Sequence, residues 1–259
     1  MGSYLITGAS RGLGFEMTRQ LVSLPVSQVN KVFATTRADA PGLNEIAQKS
    51  DGRLVVIKLD VSKEATIKEA AEEVEAHLVG KGLDVLINNA GTMLWSPNGV
   101  VTMDNLEETF MTNVLGVHWV TQAFFSLLQK GNLKKFANIT STLGSIAMAS
   151  QYAAGPSPAY KISKTALNSL TVQYALGYEK EGFTFLLSAP VKLTFCLEYL
   201  KTDLGSQNAD LDVDVGAKAT LDKILGAGRE QNGQFLNIHV KGWEEKEGPN
   251  RYDGVNPPW

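Results

Sequence analysis

This chain of 259 residues has one cysteine, Cys196, and therefore no means of forming an internal disulfide. Its three histidines, His77, His118 and His239, are widely separated, and no Cys/His cluster has metal-ligand spacing, so no metal is expected. An excess of charge of one sign is also missing. The 24 basic and 27 acidic side chains leave a net charge of -3, which offers no electrostatic case for nucleic acid or an anionic membrane surface. No apolar run approaches the ~18 residues that read as a membrane span. The opening SYLITG reads as a strand entering a glycine loop rather than as a charged leader. A cytoplasmic location is the expectation, and the Asn138-Ile139-Thr140 sequon then reads as incidental.

What is present is ordinary globular composition, 44% hydrophobic and 20% charged, in a chain long enough for one large α/β domain. Short apolar runs alternate with helical patterns of about 10–15 residues, the signature of βαβ units on a parallel sheet. Seven runs read as strands: SYLITG, KVFATT, LVVIKLD, DVLINNA, FANITS, FTFLLSA and GQFLNIH. Their nearly continuous apolar character is that of a sheet covered on both faces. Helices are expected at Gly12–Ser23, Ala65–Val79, Asn105–Leu128, Tyr160–Lys180 and Val215–Leu225. The tail from 240 to 259, rich in Gly and Pro, is expected to be irregular. The fold class is thus one doubly wound Rossmann-type domain over 1–259, with a mostly parallel sheet of seven strands.

The first strand runs into TGASRGLG, with Gly8, Gly12 and Gly14 spaced G-x-x-x-G-x-G ahead of a helical pattern. Glycines there permit a tight turn and close approach of the backbone to a pyrophosphate at the helix N-terminus. The second strand ends in FATTRAD, with Thr36 and Arg37 where an NAD-selective site carries a carboxylate. Arg37 and Arg11, two planar guanidiniums near one ribose, suit a 2′-phosphate, so NADP(H) is the expected cofactor. Further on, AYKISK places Tyr160 and Lys164 four residues apart on one helix face, and NITSTLG places Ser141 just past a strand end. An ammonium beside a phenol is expected to lower its pKa, making Tyr160 an acid/base, while Ser141 bonds the substrate oxygen.

With TGASRGLG, LDV, NNAG, TNVLG, NITSTLG and YKISK in this order, the chain resembles the short-chain dehydrogenase/reductase family over essentially its whole length, in its standard-length branch. The resemblance implies roles by position. Gly8, Ser10, Arg11, Gly12, Leu13 and Gly14 would line the phosphates; Asp60 and Val61 would flank the adenine; Asn89, Ala90 and Gly91 would flank the neighbouring ribose. Tyr160 would be the acid/base, Lys164 would bond the nicotinamide ribose, Ser141 would position the carbonyl, and Asn113 would hold a water of a proton relay. The implied reaction is reduction of a ketone or aldehyde to an alcohol by NADPH, with a small-molecule carbonyl compound as partner.

The loop between Ser141 and Tyr160 is longer than the family's common spacing. With the tail, it resembles the C-factor-like carbonyl reductases and fungal proteins related to norsolorinic acid ketoreductase, which implies hydrophobic, aromatic or polyketide-derived ketones and a place in secondary metabolism. Met93, Trp95, Met148 and Tyr152 would wall such a pocket. Family members often pair through two long helices, implying a homodimer or homotetramer. One stretch departs from the pattern. The resemblance implies that Pro190 and Thr202 would bind the cofactor, Thr202 at its nicotinamide end, but where a single glycine is expected between them stands VKLTFCLE, Val191 to Glu198. It reads either as a lid-like insertion or, favoured by its intact neighbours, as non-coding sequence carried into the translated chain. This interruption leaves an alternative open, a catalytically impaired NADP-binding regulatory or signalling protein.

Overall fold

The computed structural model describes residues 1–189, 211–245 and 251–259. Pro190, Thr202 and the whole Val191–Glu198 interruption lie outside the described residues. The chain alternates strand and helix in the expected way: β1 (Gly2–Ile6), α1 (Gly12–Ser23), β2 (Val29–Thr36), α2 (Pro41–Gln48), β3 (Leu54–Lys58), α3 (Glu64–Leu78) and β4 (Val85–Asn88) make up the first half. Then follow α4 (Leu106–Phe110), a π-helical turn (Met111–Leu115), α5 (Gly116–Gln129), β5 (Lys135–Ile139), α6 (Pro158–Gly177), β6 (Thr184–Ala189), α7 (Val213–Gly226) and β7 (Phe235–Asn237).

All seven strands are parallel, in the order β3-β2-β1-β4-β5-β6-β7. The chain order reverses between β1 and β4, so a crevice opens there beyond the carboxyl ends of the strands, the position where open α/β sheets bind ligands. Alternate residues of each strand feed two cores. On one face Leu5, Phe33, Leu86, Phe136 and Phe185 pack against Ile67 and Val74 of α3 and Val120 and Phe124 of α5. On the other, Ile6, Val32, Ile87 and Ala137 meet Met17 and Leu21 of α1, Leu43 of α2 and Leu221 of α7. Helices on both faces explain why the strands read as unbroken apolar runs.

On the face covered by α5 and α6 runs a buried polar ladder. The Asn88 amide donates to Asn138 Oδ1 at 2.8 Å, Asn138 donates to Thr171 Oγ1 at 2.8 Å, and Thr140 donates to Asn168 Oδ1 at 2.6 Å. Asn138, the sequon asparagine, is 3% exposed in a central strand.

Three local expectations change. The single helix expected over Asn105–Leu128 is broken into α4, the π turn and α5, because Gly116 donates back five residues to Met111 and widens the coil. Helix α2 was not anticipated; it is eight residues long, starts with Pro41 and Gly42, and buries only Leu43, too little periodicity to read. Among its described residues the tail has no helix or strand but is fastened down: His239 and Asp253 form an antiparallel bridge, and the Trp243 and Tyr252 rings lie 5.4 Å apart. Among the described residues no helix is long and apolar enough to cross a membrane.

Candidate active site

The loop between β1 and α1 is shaped by two glycines that could not be anything else. At Gly8, with φ +67°, a Cβ would lie 2.8 Å from the Ala90 backbone. At Gly14 a Cβ would lie 2.4 Å from the Asn89 amide nitrogen and 2.5 Å from the Gly8 carbonyl oxygen. The loop after β4 is therefore pressed against the glycine turn, and hydrogen bonds hold it there. Asn89 Nδ2 donates to the carbonyls of Thr7 (2.9 Å) and Gly8 (3.1 Å), while Thr7 Oγ1 accepts the amides of Asn89 and Ala90, both at 3.0 Å. Thr7 was not among the residues singled out from sequence, although its place directly before Gly8 is the signal for it. Ser10 and Arg11 are exposed at the mouth of α1, followed by Gly12 and the half-buried Leu13. The N-terminus of α1 is thus a cradle of backbone amides with the helix dipole behind it.

The rest of the nucleotide side lies along the same edge. Thr36 ends β2 with its hydroxyl turned to the Ala38 carbonyl, and Arg37 follows, exposed. Asp60 stands at the end of β3. Burial pushes its pKa up, but hydrogen bonds from the Ser62 hydroxyl and amide, aided by the charges of Lys63 and Arg37, outweigh that and hold it below the ordinary range. Arg37 is thereby placed near Asp60. Val61 is buried against Gly116, where a Cβ would lie 2.6 Å from the Val61 carbonyl oxygen. The residues present fit a dinucleotide whose phosphates lie on the α1 N-terminus: a side chain at Gly8 or Gly14 would fill the cradle, and Arg11 stands at the N-cap of α1.

The chemical side gathers around α6, whose first turn starts at Pro158 with its φ preset for the helix. Ser141 precedes a short turn at 142–144, and its Oγ accepts the Leu143 amide at 3.2 Å. Its own proton is left to donate, and the Ser141 side chain hydrogen-bonds the Tyr160 phenol. Gly144 permits this approach, since a Cβ there would lie 2.8 Å from the Lys164 backbone. Lys164, 5% exposed, donates to the Ile139 carbonyl at 2.8 Å and holds its ammonium 5.5 Å from the centre of the Tyr160 ring. Gly91 faces both partners of this centre, its would-be Cβ lying 3.3 Å from Asn113 Oδ1 and 3.8 Å from Lys164 Nζ.

The expected lowering of the Tyr160 pKa is not what the site shows. Burial among Met93, Leu143, Met148 and Tyr152 raises it well above the ordinary phenol range, and the Ser141 hydrogen bond opposes this only in part. The lysine lies by the ring and bonds a carbonyl, and burial brings its own pKa down to about 8. Asn113, for which the resemblance implies a water of a proton relay, also has a structural part. Its side chain sits on the π turn, accepts the Thr92 amide (2.9 Å), and donates to the Thr92 carbonyl (2.8 Å) and Ser163 Oγ (3.0 Å). Both its N–H protons are thus engaged in joining the β4 loop to α6. Ser163, which passes this linkage to the Tyr160 carbonyl at 2.8 Å, was not singled out from sequence; a hydroxyl three residues after the tyrosine on one helix is its signal.

Of the four expected wall residues, Met93, Met148 and Tyr152 pack with Tyr160, whereas Trp95 is 42% exposed. The Tyr152 hydroxyl donates to Thr142 Oγ1 at 2.9 Å, so this wall is apolar with one satisfied hydroxyl. Among the described residues no group of three or more His, Cys, Asp or Glu is placed to hold a metal.

Residues 3–204 match the family model of the short chain dehydrogenases. The chain is 34% identical over 224 residues to the short-chain dehydrogenase anuI of Penicillium roqueforti, covering 83% of this chain and 84% of that protein. It is 25% identical over 249 residues to the norsolorinic acid ketoreductase of Aspergillus parasiticus, covering 92% and 89%. Among solved structures, the NADPH-bound carbonyl reductase of chicken fatty liver superposes with a TM-score of 0.83 at 30% identity, over 99% of this chain and 98% of that one.

Proposed function

Because the chain belongs to the short-chain dehydrogenase family, we propose that it is an NADPH-dependent carbonyl reductase acting on a hydrophobic, aromatic or polyketide-derived ketone or aldehyde. Oxidoreductase chemistry on carbonyl compounds follows from the family and from its carbonyl reductase relatives. The observation that carries the reading is the meeting of the Ser141 and Tyr160 hydroxyls beside a buried lysine, at the carboxyl edge of β5. The preference for NADPH is supported by Arg11 and Arg37 at the cradle, with Thr36 where a ribose-binding carboxylate would stand. The substrate class is supported by the wall of Met93, Met148 and Tyr152.

When bound, NADPH supplies the hydride for the carbonyl carbon. The protein's part is proton and charge management. Ser141, with its oxygen engaged by the Leu143 amide, donates to the carbonyl oxygen and orients it toward Tyr160. Tyr160 gives its proton to that oxygen as negative charge builds there. A phenol held above its ordinary pKa keeps this proton until the substrate oxygen is the stronger base, which suits the reductive direction. The tyrosinate that remains is stabilised by Ser141 and by the Lys164 ammonium beside its ring. Asn113 keeps the β4 loop and α6 in register under this centre.

NADPH oxidation against a panel of ketones tests the reading, with Tyr160→Phe as the control. Turnover should fall by about 10²–10⁴-fold in the variant while NADPH affinity is kept. Failure of every ketone to exceed the variant would refute it. We place the reaction in the cytoplasm and in secondary metabolism, and propose pairing of copies into a homodimer or homotetramer, supported by the exposed Leu115, Ile162 and Leu176 on the π turn and α6. Sedimentation of a monomer would refute the pairing.

A further inference from the structure

The tail returns to the catalytic loop. Beyond the His239–Asp253 bridge, Asp253 Oδ1 accepts the Asn237 amide group at 3.1 Å and the Val255 amide at 2.9 Å, which turns the chain along the sheet edge. The Trp259 ring then lies against Phe235 of β7, centroids 5.5 Å apart. From this anchor the main chain reaches the segment after Ser141. Ser145 Oγ donates to the Pro258 carbonyl at 2.7 Å, and the Ala147 amide donates to the Trp259 carbonyl at 2.9 Å. The same Ser145 oxygen accepts the Met148 amide at 3.1 Å. Met148 in turn packs with Met93, Leu143, Tyr152 and the catalytic Tyr160.

We propose that Pro258 and Trp259 form a positioning strap, which fixes the 145–148 segment against β7 and thereby sets how large a carbonyl compound fits beside Tyr160. The strap contacts backbone and one hydroxyl, so it fixes position and performs no chemistry. Its grip is directional. Proline holds its φ rigid, the indole is seated on the sheet, and Ser145 joins tail and wall through a single oxygen. Two rungs spaced two residues apart, at Ser145 and Ala147, resist rotation of the segment as one rung would not. The two ends of the loop are fastened to α6 instead, where Thr165 Oγ1 donates to the Gly144 carbonyl (3.0 Å) and Lys161 to the Gly155 carbonyl (2.8 Å). Releasing the strap therefore loosens the middle of the loop, where Met148 stands, and leaves Ser141 and Tyr160 in place.

The substrate half of this proposal rests on the reductase reading; the mechanical half does not. The test accordingly has two arms, on Ser145→Ala, Trp259→Ala and Trp259→Phe. Without any ligand, hydrogen exchange at the Ala147 and Met148 amides should quicken about tenfold in Ser145→Ala and Trp259→Ala. Trp259→Phe, which keeps a ring on Phe235, should stay within about twofold of the parent, as should the amides of β5 and β6. In the kinetic arm, KM for a bulky aromatic ketone should rise about fivefold in the two loosened variants, with kcat and KM for a small aldehyde unchanged. Unchanged exchange at both amides, or faster exchange spread into the sheet, overturns the strap. An equal loss of activity on both substrates overturns its role in selectivity. If exchange responds as expected but the parent reduces no carbonyl compound, the strap stands and the reductase reading fails.

Discussion

Replacing Lys164 with methionine should stabilise the fold while it disables the site. The lysine is 5% exposed, and burial takes its pKa from 10.5 to about 8. At ~1.36 kcal/mol per pKa unit, holding the ammonium in this place costs about 3 kcal/mol near neutral pH. Methionine keeps much of the side-chain volume but deprives the Ile139 carbonyl of its bond, a loss of about 1 kcal/mol. The net gain is about 2 kcal/mol, or roughly 4–8 °C in Tm for a domain of this size. The sign has a second consequence. Because the folded pKa lies below the unfolded one, the unfolded chain binds more protons between about 8 and 10.5, so the parent gains stability as pH rises through that window. The advantage of methionine should therefore shrink as pH climbs. Tyr160 titrates above its ordinary range in the fold and is common to both proteins, so it cancels in the comparison below about pH 10. Urea unfolding of both proteins at about pH 7 and about pH 9.5 measures the effect. A variant less stable than the parent at neutral pH, or a difference that ignores pH, would refute the reasoning.

Three further outcomes can be checked directly. Gly14→Ala places a Cβ 2.4 Å from Asn89 Nδ2 and should lower stability by about 1–3 kcal/mol and weaken NADPH binding, read by cofactor fluorescence titration. Arg37→Asp should lower the preference for NADPH over NADH by about tenfold or more in kcat/KM, because it exchanges a phosphate partner for a carboxylate; an unchanged ratio would remove Arg37 from cofactor selection. Asn113→Ala removes three hydrogen bonds between the β4 loop, the π turn and α6, and should cost about 2–4 kcal/mol in denaturant unfolding.

The parts of the site that were legible in the sequence are those written in local spacing. Gly8 and Gly14 flag a turn, Tyr160 and Lys164 share a helix face, and Ser141 follows a strand, each a pattern within its own short segment. Parts that depend on where distant segments meet were not legible. Thr7 serves the cradle through bonds to residues 82 and 83 positions away, and Ser145 meets Pro258 across 113. The tail offered only Gly and Pro, which announce turns but not what the turns reach. Helical spacing shows the proximity of Lys164 to Tyr160 but not the state of the phenol, because burial, which dominates here, is a property of the packed loop rather than of the helix. The π turn escaped notice because its five residues keep helical periodicity.

The polar ladder bears on how the protein can be produced. Asn138 belongs to a glycosylation sequon, yet its amide is inside the sheet, bonded to Thr171 and accepting from Asn88. In a secretory host a glycan could be attached only before folding, and β5 so modified could not enter between β4 and β6. Secretion would thus sort the product into folded, unmodified chains and glycosylated, misfolded ones. Removing the acceptor by Thr140→Ala would not be neutral either, since that hydroxyl holds Asn168 at 2.6 Å. Hosts that make the protein away from the oligosaccharide transferase avoid the conflict altogether.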